Sequence, residues 1–145
     1  MELARKAGKV IAVDISVEML EKVKRKATRA GVGNIEFLQS DGTNVRLEAG
    51  TIDLILLVTV FHEIDNNTTV LKEFSRILKA PGKLVIAEII KKGFIPMAQV
   101  QNPQTIQAEV TATNFYISAK SCLTRTMAYS TLQKTLNIPP QTIQP

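Results

Sequence analysis

The chain has 145 residues, of which 45% are hydrophobic and 21% charged, the composition of a folded globular protein with one sizeable core. A single cysteine, Cys122, makes no internal disulfide, which excludes a stapled secreted scaffold and favours a reducing compartment. With one histidine, His62, it supplies no Cys/His zinc set, so no metal is expected, and the net charge of +5 leaves nucleic acid to be weighed as a partner.

In chain order, the run Val10-Ile11-Ala12-Val13-Asp14 predicts a strand buried on both faces and ending in an acid. Ser16 predicts an N-cap, and Met19, Leu20, Val23, Ala27 and Ala30 recur at helical spacing until Gly31 stops them. On that helix Lys22, Lys24, Arg25, Lys26 and Arg29 concentrate the positive charge. Glu18 and Glu21 stand four residues before Lys22 and Arg25, the spacing of ion pairs on a solvated face. With aromatics scarce as well, nucleic acid is not the expected partner.

Asn34 to Gln39 predicts a second strand with Ser40-Asp41-Gly42 as its exit turn, and Ile52 to Thr59 a third strand. Asn66 or Asn67 caps a helix whose inner face is Val70, Leu71, Phe74, Ile77 and Leu78. Ala80-Pro81-Gly82 predicts a turn, and Lys83 to Ile90 a fourth strand. Strands and helices alternating in this way predict a parallel α/β sheet.

The composition then changes. Residues 1–92 hold 15 of the 18 bases and 12 of the 13 acids, while seven of eight glutamines and five of six prolines follow Gly93. Asn102-Pro103 opens a short predicted helix with Ile106 and Val110 inward. Phe115 to Lys120 alternates as a half-buried strand, and Met127 to Lys134 predicts another, so an antiparallel pair should close the sheet. The expected organisation is one domain over residues 1–135 and a loose tail over 136–145. No apolar run is long enough to span a bilayer and the amino terminus lacks a leader pattern, so a cytoplasmic protein is expected.

Ligands of open parallel sheets bind beyond the carboxyl ends of the strands, where Asp14, Asp41 and Thr59 fall on this reading. An acid ending the strand before a helix is placed to accept both hydroxyls of a ribose. A second acid at the next strand exit, followed by glycine, can accept from an exocyclic amine while backbone approaches a base. The alternative is that both acids only order local turns.

These residues and their neighbours resemble the ordered motifs of class I S-adenosylmethionine-dependent methyltransferases, most of all small type 11 domains related to quinone-biosynthesis C-methyltransferases. The motifs are Val13-Asp14-Ile15-Ser16, Ser40-Asp41-Gly42, Asp53-Leu54-Ile55-Leu56, Phe61-His62-Glu63-Ile64 and Leu78-Lys79-Ala80-Pro81-Gly82-Lys83. The resemblance covers about residues 2–92. It implies a Rossmann-like, mostly parallel sheet with the antiparallel carboxyl-terminal pair, and S-adenosylmethionine as cofactor. It further implies that Asp14 holds the ribose, Ile15 packs on adenine, Asp41 with Gly42 reads the adenine edge, and Thr59 lines the floor near the sulfonium.

In that family a first strand and a glycine-rich loop precede the helix that Glu2 to Gly8 resembles. The sheet is therefore expected to lack its first strand, leaving two strands with open ladders and exposed apolar side chains. His62 is a candidate to take a proton from a small or lipid-like methyl acceptor, or else a residue that orders its loop or caps the next helix. The rival readings are a non-catalytic methyltransferase remnant that pairs through its edges, including as a homodimer, and a nicotinamide-dependent oxidoreductase using Asp14 on a ribose. Gly31-Val32-Gly33 lies between helix and strand, the wrong order for a dinucleotide loop, and Tyr116 to Lys120 has dehydrogenase spacing but a strand pattern.

Overall fold

The structure, a computed structural model, describes residues 1–89, 115–122 and 127–134. It divides into two compact units, Met1–Arg46 and Leu47–Pro145. The expected helix after Pro103 and the tail 136–145 lie outside the described residues.

In the first unit, helix α1 (Glu2–Lys6) leads into strand β1 (Val10–Asp14), helix α2 (Val17–Arg29) and strand β2 (Ile35–Gln39). The Asn34 amide ties α1 to the start of β2, donating to the carbonyls of Ala4 at 2.7 Å and Ala7 at 2.8 Å. Ser16 caps α2, its hydroxyl accepting from the Met19 N–H at 3.2 Å. At the other end Gly31 adopts φ +64°, the left-handed stop that its sequence position predicts. Leu20 and Ala27 are buried where α2 packs on β1 and β2. Met19, expected inward, is 45% exposed. It lies beside Lys22 on the helix, away from the buried stripe of Leu20 and Ala27. β1 and β2 pair in parallel from Val10 with Ile35 to Asp14 with Gln39.

In the second unit, β3 (Ile52–Val58) is followed by a 3₁₀ turn (Phe61–Glu63), helix α3 (Asn67–Ile77), β4 (Leu78–Ile89), β5 (Phe115–Cys122) and β6 (Met127–Lys134). Asn66 is the cap of α3, accepting from the Thr69 N–H at 3.1 Å. All five residues of the expected inner face, Val70, Leu71, Phe74, Ile77 and Leu78, are buried. The strand order is β3-β4-β6-β5, with β3 parallel to β4 and the last two strands antiparallel. This bears out the expected Rossmann-like sheet with its antiparallel closing pair.

Ala80-Pro81-Gly82 does not turn the chain away from the sheet. It forms an irregularity inside β4, where the partners step from Ile52 with Leu78 to Leu54 with Lys83. A Cβ at Gly82 would lie 2.6 Å from the Lys79 carbonyl oxygen, so only glycine fits this tight segment. The buried carboxylate of Glu73 is matched by Arg76, which donates to it from Nε and Nη2 at 2.7 Å each and reaches the Leu47 carbonyl at 2.8 Å.

The expected open ladders are present. Among the described residues β1 pairs only with β2, and β3 only with β4. Cross-strand partners share a face, so Leu54, Leu56 and Val58 lie with Lys83, Val85 and Ala87, while Ile55 and Leu57 lie with Leu84 and Ile86. The second face is the core, with Leu84 and Ile86 fully buried. The first is uncovered at β3, where Leu54 and Val58 are each about half exposed. A strand whose sequence is apolar on both faces belongs in a sheet interior, and here it stands at an edge.

Candidate functional site

The carboxyl end of β1 is Asp14, paired in register with Gln39 at the end of β2. The Ser40 N–H donates to the Asp14 carbonyl at 3.1 Å, so the exit of β2 is tied to the exit of β1. Asp41 comes next, on the same rim of the two-stranded sheet. Asp14 Oδ1 accepts from the Ser16 N–H at 2.8 Å. Asp41 Oδ1 accepts from the Thr43 N–H at 2.9 Å and the Thr43 hydroxyl at 2.7 Å. Both acids therefore order a local turn, as the structural alternative proposed. Each turn uses one oxygen. Oδ2 of Asp14 and Oδ2 of Asp41 have no partner among the described residues, so two anionic acceptors remain for the donors of a ligand.

Ile15 sits between these turns with 69% of its surface exposed, an apolar side chain that nothing in the first unit covers. Its carbonyl accepts from the Gln39 side-chain amide at 3.1 Å, which fixes the backbone that presents it. Gly42 is buried with φ +86°, a conformation that glycine adopts without strain. The Gly42 N–H donates to the Ser40 hydroxyl, which in turn donates to the Asn44 carbonyl, both at 3.1 Å. Thr43 and Gln39 were not singled out in the sequence. The signal for Thr43 was the Asp-x-Thr spacing of an Asx turn, which Asp14-x-Ser16 repeats.

Thr43 holds the Asp41 carboxyl below the usual carboxylate range, first through its hydroxyl and then through its N–H. A carboxyl lowered by folding contributes stability above its unfolded pKa and loses it as pH falls through the folded value. Thr43→Val should raise the Asp41 pKa toward the ordinary range, because the hydroxyl bond is lost and the N–H bond kept. A carboxyl-detected NMR titration of both proteins reads this directly.

Thr59 and His62 belong to the second unit, at the carboxyl end of β3. Thr59 has φ +52°, an outlier for a β-branched residue. Its N–H donates to the Ala87 carbonyl and its hydroxyl to the Val58 carbonyl, both at 2.8 Å, and these bonds hold the strained backbone. Strain of this kind costs on the order of 1–3 kcal/mol and concentrates at functional positions. No feature of the sequence disclosed it. His62 follows the fully buried Phe61, with its own side chain only 14% exposed and Nε2 3.9 Å from Glu63 Oε1. The N-cap of α3 is Asn66.

A parallel strand pair with acids at both exits in one unit, and in the other a mixed sheet with an antiparallel closing pair, are the parts of a class I S-adenosylmethionine-dependent methyltransferase domain. The chain belongs to the family described as methyltransferase domain, whose profile matches residues 1–86. It is 38% identical over 82 residues to the demethylmenaquinone methyltransferase of Lactococcus lactis subsp. lactis, covering 57% of this chain and 32% of that protein. It is 30% identical over 96 residues to the ubiquinone/menaquinone biosynthesis C-methyltransferase UbiE of Haemophilus ducreyi, covering 66% and 37%. The chain thus spans about a third of the length of the curated relatives it matches. Among solved structures, a SAM-dependent methyltransferase from Aquifex aeolicus superposes with a TM-score of 0.86 at 20% identity, over 92% of this chain and 74% of that one. The family's methyl donor, S-adenosylmethionine, is the cofactor that the fold implies. The unpartnered Asp14 and Asp41 oxygens and the uncovered Ile15 suit its adenosine half.

Proposed function

We propose that this chain binds S-adenosylmethionine and takes part in methyl transfer to a small or lipid-like acceptor of the quinol type, in the cytoplasm. The observation that carries this reading is the pair of carboxylates at adjoining strand exits, each with one oxygen fixed and one open. Asp14 would accept from the two ribose hydroxyls, Ile15 would pack on the adenine face, and Asp41 would accept from the exocyclic amine. The fixed left-handed turn at Gly42 would let backbone approach the base. When bound, the cofactor supplies a methyl carbon already activated by its sulfonium. Thr59 would line the floor near that sulfonium, and His62 would take the acceptor's proton. The quinone acceptors named for the relatives support the acceptor class.

Of the residues assigned here, Asp14, Ile15, Asp41 and Gly42 would all meet the adenosine half of the cofactor. Adenosine and S-adenosylhomocysteine should therefore bind with dissociation constants within about threefold of each other, since the groups that separate them meet few of these side chains. Isothermal titration of both ligands checks this. No heat from either ligand with folded protein would count against the reading, and heat from NADH instead would favour the oxidoreductase.

A second reading is favoured by the open outer edge of β3 and the uncovered Leu54, Leu56 and Val58. On this reading the chain is an interaction module whose edges pair with another chain or with a second copy. Sedimentation as a concentration-dependent dimer, without any adenosine binding, would select it.

A further inference from the structure

Lys22, Arg25, Lys26 and Arg29 stand at i, i+3, i+4 and i+7, one continuous face of α2, directly opposite the buried Leu20 and Ala27. All four are exposed. The ion pairs that their spacing predicted are not formed. Glu21 reaches Lys24 instead, at 3.6 Å, and Glu18 accepts from the Ser16 hydroxyl at 2.8 Å. Among the described residues none of the four bases has an acidic partner, whereas Lys9 and Lys79 are matched by Glu36 at 2.6 Å and Asp53 at 2.7 Å. Lys22 Nζ lies against Met19 Sδ at 3.8 Å. Met19, 45% exposed, flanks this face at the amino-terminal end of the helix. Glu18 is the one acid on the stripe. Its own N–H and the Ser16 hydroxyl keep its carboxyl below the usual range, so it remains charged and sets the amino-terminal limit of the basic ridge.

We propose that this face of α2 docks the protein on an anionic membrane surface, with the four unpaired bases on lipid phosphates and Met19 at the interface. A row of unmatched cations gains where anionic headgroups raise the negative surface potential, and an apolar side chain at its edge prefers the headgroup boundary to water. Nucleic acid fits less well, because the helix offers no aromatic side chain for stacking. The inference is compatible with a lipid-like acceptor but does not depend on one. Its test uses neither cofactor nor acceptor, so its failure leaves the methyl-transfer reading standing.

The experiment is co-sedimentation of the full chain with vesicles of neutral phosphatidylcholine, alone or with about a third phosphatidylglycerol. Four charges acting together should raise the partition coefficient on the anionic vesicles more than tenfold, and about 0.5 M salt should remove most of that gain. The variant Lys22→Glu/Lys26→Glu/Arg29→Glu should lose it. A control with the same charge change elsewhere, Lys6→Glu/Lys72→Glu/Lys83→Glu, should keep at least half. Equal binding to neutral vesicles would overturn the proposal, as would equal loss in both variants or no salt dependence. Tighter binding to a DNA duplex than to vesicles at matched phosphate would overturn it too. The salt series on the unaltered chain decides the matter even if a variant fails to fold.

Discussion

Asp14→Ala should weaken S-adenosylhomocysteine binding by about ten- to a hundredfold, against less than about threefold for His62→Ala. Hydrogen bonds to a charged carboxylate contribute about 1.5–3 kcal/mol in net terms, and each factor of ten in affinity corresponds to about 1.4 kcal/mol. Alanine removes two things at once, the open oxygen and the oxygen that accepts from the Ser16 N–H at 2.8 Å. Asp14→Asn separates them. Its amide oxygen can still accept from Ser16 and keep the turn, but the second position becomes a donor facing the donors of a ribose. The account therefore expects Asn to bind nearly as poorly as Ala while unfolding at nearly the temperature of the unaltered protein. His62 is mostly buried within the 3₁₀ turn after β3, and its removal should register in methyl transfer rather than in adenosine affinity. Calorimetric titration of the three variants, with thermal melts beside it, reads both expectations. Equal losses for Asp14→Ala and His62→Ala would undo the assignment of Asp14.

Leu84→Ala should destabilise the second unit by about 3 kcal/mol, while Leu54→Ala costs less than about 1 kcal/mol. The two residues sit on neighbouring strands but on opposite faces of the same sheet. Leu84 has no exposed surface and lies on the face that includes Leu57 and Ile86, so truncation removes its burial and leaves a cavity. Leu54 is 51% exposed on the uncovered face, so truncation removes little that folding had buried. Urea unfolding followed by circular dichroism measures both. Similar costs for the two variants would mean that the Leu54 face is covered in solution, and would favour the reading in which β3 takes a partner.

The local signals in this sequence were strong enough to place β1, α2, β2, β3 and α3, because each had its own punctuation, whereas α1 rested on the resemblance and the 3₁₀ turn Phe61–Glu63 was not read. Ser16 and Asn66 cap the helices, Gly31 stops α2, and the apolar runs from Val10 and from Ile52 have the length and continuity of buried strands. Long-range features were less legible. The Ala80-Pro81-Gly82 segment reads as a turn because proline and glycine usually mark one, yet the sheet absorbs it as an irregularity within β4. The Glu18 and Glu21 spacings allow ion pairs on α2, but nearer donors, Ser16 and Lys24, take those carboxylates.

At the candidate site, the position of Asp14 and Asp41 on one rim was legible from strand exits alone, since parallel register brings successive exits together. What could not be read was how each carboxylate divides its two oxygens, which depends on the residue two positions later. The strained φ of Thr59 was equally hidden, because threonine is common at strand ends in unstrained conformations and the same residue type serves both.

Carboxyl-carbon NMR of the aspartates during an adenosine titration tests the central claim most directly. The account predicts that the Asp14 and Asp41 resonances both move, with one shared dissociation constant, while those of Asp53 and Asp65 stay in place. Saturating adenosine with both Asp14 and Asp41 unmoved, or with two different constants for the pair, would contradict it.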